Sequence, residues 1–253
     1  MRQVVALTWN GFLEAVRDRL VVISFFVGLG LVFLSLILGS MSFEEQRRLL
    51  LDFGMFAILL VSLVIAVFLG AYAVHKEVER QTCLLVLVRP VSRLQFILGK
   101  FFGILLLMAV MWGVLVVVLY ALLGASYPLL GYILAALGIL IESAVVLAFT
   151  MMCAGRVQPA VALFSGVSLF LLGHWQKDLF FFAERSKDAF FLTIAKVVPW
   201  VIPQFFRTNF RSSSLIDQNQ LLDPFARGVI HLAFWLLLYL VLTANFFRRK
   251  DLV

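Results

Sequence analysis

Glu142 is the one acidic residue in the middle of an apolar run, set in Leu140-Ile141-Glu142-Ser143-Ala144. A charged side chain at bilayer depth costs roughly 2.5–3.5 kcal/mol on insertion scales, so this carboxyl group is expected to face a protein interior or a wet cavity. Two roles fit it: a group on a substrate path or conformational switch, and a hydrogen-bonded packing carboxylate. The other reactive residue types are not arranged for catalysis. His75, His174 and His231 are dispersed, His-Glu-x-x-His is absent, and His231 reads as an interfacial residue near one end of the last apolar span. Cys83 and Cys153 lack metal-ligand partners at useful spacing. Gly99-Lys100 follows no glycine-rich loop, so no phosphate loop for ATP is present. Ser165-Gly166 lacks the Gly-x-Ser-x-Gly frame of a nucleophile elbow. An enzyme is therefore disfavoured, and the chain is expected to bind no metal or cofactor of its own.

A second group of residues could dock a partner. His75-Lys76-Glu77-Val78-Glu79-Arg80-Gln81-Thr82 leads through an apolar stretch to Arg89-Pro90-Val91-Ser92-Arg93, a charged interval between two strongly apolar spans. Residues 79–88 contain no helix breaker and predict a short helix. Pro90 stops it, because proline has no N–H and disfavours helical geometry at Arg89. Ser92 followed by Gln95 is a capping-box pattern that should start the next helix.

The elements that must hold these residues are helices in lipid. With 63% hydrophobic and 14% charged residues and a mean hydropathy of +1.06, the chain has more apolar surface than a soluble core can bury. Six segments approach the roughly 20 apolar residues that cross a bilayer: 21–41, 54–75, 97–123, 130–154, 158–175 and 224–247. The expectation is an all-α polytopic membrane protein forming one domain over residues 1–253. The first 20 residues hold charges rather than the apolar core of a signal peptide. Their Val5, Trp9, Phe12, Leu13, Val16 and Leu20 share one arc, as in a helix lying among headgroups; a solvated helix is the alternative.

Six crossings return both termini to one side. Placing the termini, the 76–100 loop and the 155–157 turn in the cytoplasm puts twelve of the 21 Lys and Arg inside, as the positive-inside rule favours. The net charge of +7 then flanks membrane segments and suits anionic lipid better than nucleic acid. Residues 176–223 are too long and aromatic for a simple linker. Leu179, Phe182, Phe190, Ile194 and Val198 can share a face, and Pro199 and Pro203 interrupt the path, predicting short interfacial or partly re-entrant helices. Asp223-Pro224 reads as the start of the last span, and Arg248-Arg249-Lys250 as its end.

The order Glu79-x-x-Thr82, a leucine-rich stretch, Pro90-Val91-Ser92-Arg93 and Gly99-Lys100 resembles the cytoplasmic coupling segment of ABC-2 type transporter permeases. The six spans, amphipathic N-terminus and long segment before the last span extend the resemblance. It implies a homodimer of permease chains in a cell membrane, the bacterial inner membrane, with two copies of a separate ABC ATPase holding ATP and Mg. It also implies a coupling role for Glu79, Thr82, Arg89, Pro90 and Arg93, export rather than import, an outer gate in the 176–223 segment, for which a lid that only anchors the fold is the alternative, and room for an outer-side partner. The rival from another class is a membrane assembly or scaffold protein whose charged loop docks a cytoplasmic partner without transport.

Overall fold

The structure, a computed structural model, describes residues 2–41, 46–79, 92–124, 128–186, 188–209 and 222–248. Among them are eight α-helices and no strand: α1 (Arg2–Val16), α2 (Arg19–Ser40), α3 (Gln46–Glu79), α4 (Arg93–Leu123), α5 (Leu129–Ala154), α6 (Pro159–Ser186), α7 (Ala189–Val201) and α8 (Leu222–Arg248), with a 3-10 turn at Phe205–Arg207 between the last two. Helices satisfy their own backbone N–H and C=O groups, which lipid cannot do for them. This is an all-α, multi-pass membrane fold.

Local signals set most of the boundaries. The Asp18 side chain accepts from Leu20 N at 3.0 Å and caps α2, so the predicted surface helix 1–20 ends at Val16 and Leu20 belongs to the first span. Ser92 and Gln95 form the expected capping box: the Ser92 hydroxyl accepts from Gln95 N at 3.2 Å, and Ser92 N donates to Gln95 Oε1 at 3.0 Å. From that cap α4 runs 31 residues without a break, about 46 Å at 1.5 Å per residue. α8 is already helical at Leu222, so Asp223 lies inside its first turn, where a negative charge suits the helix dipole.

Among the described residues five helices, α2, α3, α4, α5 and α8, are long and apolar enough to cross a membrane. The sixth expected span, 158–175, is the first part of α6, which continues unbroken to Ser186. Its hydropathy is diluted by His174 and Gln176, both turned toward protein. α5 and α3 form the centre: 72% and 67% of their most apolar stretches are buried, against 22% in α2. α5 touches α3, α4, α6 and α8. The outer helices turn apolar stripes outward, for example Ile230, Phe234, Leu237 and Val241 of α8, whose 3- and 4-residue spacing marks one lipid-facing side. In the turn joining α5 to α6, the Arg156 guanidinium sits 3.5 Å over the Phe246 ring near the end of α8. That turn, the end of α8, α1 and the start of α4 therefore share one side of the bundle, called here the near side.

Candidate functional site

Two constellations stand out, one on the near side and one reaching inward from the far side. On the near side, α1 crosses the first turns of α4 through glycines. A Cβ on Gly103 would lie 2.8 Å from the Thr8 carbonyl oxygen and 2.9 Å from Phe12 N, and Gly11 approaches Gly103 and Lys100 along the backbone. Gly99 and Gly103 form a small-x-x-x-small edge, the arrangement that lets helix backbones meet closely in lipid. Lys100, mostly buried, makes an ion pair with Glu14 across this crossing. The apolar arc expected to lie among headgroups faces away from this crossing: Val5, Trp9, Leu13 and Val16 are exposed. α1 therefore grips α4 by its small-residue edge and offers its bulky edge to the membrane surface.

Ser92 joins this crossing to the charged interval. Glu79 is the last helical residue of α3 and Arg93 the first of α4, while Thr82, Arg89 and Pro90 lie outside the described residues. The capped start of α4 thus follows directly on the interval singled out as a docking segment.

The second constellation is built around the segment 202–208. α6 and α7 run alongside each other, joined at Asp188, whose side chain accepts from Phe190 N and caps α7. The chain then leaves helical geometry at Ile202 and turns through Phe205–Arg207. Three helices form the socket. Gln176 of α6 donates from Nε2 to the carbonyls of Ile202 at 3.1 Å and Pro203 at 3.3 Å. His231 of α8 accepts at Nε2 from Gln204 N at 3.3 Å. Glu142 of α5, 1% exposed, accepts at Oε1 from the Thr208 hydroxyl at 2.9 Å. That hydroxyl also stands 3.0 Å from the Phe205 carbonyl oxygen.

Glycines bring the three helices close enough for these bonds. A Cβ on Gly228 of α8 would lie 2.8 Å from the Arg207 carbonyl oxygen, one on Gly138 of α5 would strike that of Thr208, and one on Gly173 of α6 would strike the Phe205 ring. Phe205 and Thr208 are completely buried. Glu142 is thirteen residues from the far end of α5 and twelve from the near end, so the turn reaches about half the depth of the bundle. Non-helical backbone at that depth is tolerated where protein surrounds it and satisfies its polar groups, and the bonds from Gln176 and His231 do this.

His174 adds to the Glu142 side of the socket. Its Nδ1 is 3.2 Å from the Phe170 carbonyl oxygen, an atom that only accepts, so Nδ1 carries the hydrogen. Its Nε2 faces Glu142 Oε2 at 3.6 Å, ion-pair distance when the ring is doubly protonated. The sequence picked out Glu142 as buried and left both of its roles open; the structure adds Thr208 and His174 as its neighbours. Gln176 and Thr208 were not singled out, and His231 was read as interfacial. A signal for three of these residues was present: Gly138 and Glu142, Gly173 and Gln176, and Gly228 and His231 each pair a glycine with a polar residue three or four positions on, hence on one helix face.

No metal-binding group of three His, Cys, Asp or Glu occurs among the described residues. Chemically, the far-side socket holds a non-helical segment through side chains of three helices, and the near-side crossing joins α1 to the start of α4. No curated protein matches the chain. A family model described as ABC-2 family transporter protein matches residues 12–173, from within α1, through the docking interval and Glu142, to Gly173.

Proposed function

The chain belongs to the ABC-2 family of transporter proteins, and on that premise we propose that it is the permease subunit of an ABC transporter driven by a separate ATPase. It is a membrane component rather than the catalyst. The reading rests above all on the family match, whose range, residues 12–173, includes the charged interval 76–93 and both helices that flank it. In the proposed assembly two copies of this chain pair in the bacterial inner membrane with two ATPase subunits, which hold ATP and Mg. The near side is cytoplasmic, with both termini there.

ATP-driven closure of the ATPases displaces the interval, where Glu79, Thr82, Arg89, Pro90 and Arg93 make or shape the contact. Because Ser92 caps α4 firmly and α4 is continuous, displacement at its start moves the whole helix, with α1 clamped to it. The far side is then the outer side. The 202–208 turn belongs to its gate, and Glu142 is the path or switching carboxylate against which the turn closes. Export is the direction, an outer-side partner can select the cargo, and lipid surrounds the remaining faces.

Purification from native membranes in mild detergent, with identification of co-purifying proteins and assay of ATP hydrolysis, tests this. A stoichiometric ATPase whose turnover depends on this chain is the expected result. Its reproducible absence from an otherwise intact complex would shift the assignment to an assembly or scaffold protein.

A further inference from the structure

We infer that His231 is the positioning residue of the re-entrant turn, and that the turn is released when the His231 ring takes up a second proton. The geometry at Gln204 carries this. A backbone N–H can only donate, so the Nε2 that receives it must present a lone pair, and the hydrogen of the neutral ring resides on Nδ1. A doubly protonated ring would set N–H against N–H at the 3.3 Å contact, replacing a hydrogen bond by a repulsion. The ring has little room to escape this by retreating with the turn, because Gly228, one helical turn away on α8, already brings that helix against the Arg207 carbonyl.

Arg207 adds to the repulsion in the protonated state. It lies on the turn itself, is exposed, and acts electrostatically on His231. A cationic His231 would therefore repel the segment it had been holding, with the exposed guanidinium partly screened. Of the other described groups on the packed elements, Glu142 of α5 and His174 of α6 stand at the Thr208 and Phe205 side of the turn. Arg227 and Asp223 lie farther along α8. The bonds from Gln176 and Glu142 do not require His231 to be neutral. Loss of the His231 contact therefore frees the Gln204 end first and leaves the turn tethered at Thr208.

That release opens the outer side is a step that rests on the transport reading; the latch itself does not. The test uses the full chain alone in lipid nanodiscs, with Cys83→Ser and Cys153→Ser removing native thiols and Phe206→Cys carrying a nitroxide. Between about pH 8 and pH 4, a range that extends below the interval in which free histidine titrates, the spectrum is expected to gain a mobile component. His231→Gln, which offers a carbonyl acceptor that does not titrate, should stay immobile throughout; His231→Ala should be mobile throughout. A wild-type spectrum unchanged over this range would overturn the inference. So would a shift that persists in His231→Gln, which would assign it to Glu142 or His174, or an immobile label in His231→Ala. Failure to find an ATPase would sink the transport reading and leave these spectra standing.

Discussion

Thr208 has one hydroxyl hydrogen and two acceptors within reach, Glu142 Oε1 and the Phe205 carbonyl. Thr208→Val keeps the shape and removes the donor, leaving a buried carboxylate short of a hydrogen bond, a loss of about 1–3 kcal/mol. Thermal unfolding in detergent should therefore drop for Thr208→Val and be largely kept by Thr208→Ser. Glu142→Gln retains an acceptor for Thr208 and removes the charge. It should assemble normally yet lose transport; full transport in this variant would return Glu142 to a packing role. The burial of Glu142 was legible in the sequence, because a lone acid in an apolar run has few places to go. Its neighbours were not, since Thr208 is 66 positions away and its approach is set by how three helices and a loop close on one another.

Helix α1 illustrates what element-level reading captures and omits. Its amphipathic arc is legible, but large apolar side chains show which face is greasy, not which face meets protein. The gripping edge is made of Gly11, Gly99 and Gly103, residues that contribute almost nothing to a hydrophobic pattern. Gly103→Leu should overpack the crossing and cost about 1–3 kcal/mol or more, seen as a lowered unfolding temperature and weakened ATPase stimulation by the assembled complex. Gly113→Ala, in the same helix with nothing within 4 Å of the added Cβ, is expected to leave both unchanged. The Ser92–Gln95 cap was legible, since its two residues are three apart and need no tertiary partner, whereas Asp223, read as a cap, lies inside the first turn of α8. The helix that carries the expected fifth span, 158–175, runs on to Ser186. His174 and Gln176, around the end of that span, face the 202–208 segment while α6 continues past them.

For the molecule as a whole, the proposed transport cycle has force enter at the charged interval and be read at the far-side turn, with the continuous α4 between them. Charge reversal at Arg89 and Arg93 should abolish co-purification with the ATPase or its stimulated hydrolysis while the chain still folds; unchanged stimulation would remove both from the contact. Ser92→Ala, which gives up a cap worth about 0.5–2 kcal/mol, should keep ATPase binding and loosen coupling, read as hydrolysis without proportionate transport. The crossing of α1 on α4 also fixes an order of events during synthesis. Glu14 and Lys100 are 86 positions apart, which at about 5–20 residues per second amounts to several seconds of translation. Throughout that interval the newborn α1 has its glycine edge uncovered and its Glu14 without the lysine it will meet. Only its affinity for the membrane surface, through Val5, Trp9, Leu13 and Val16, keeps it lying beside the emerging spans, so the same outward-facing side chains act as a temporary berth until the fourth helix arrives.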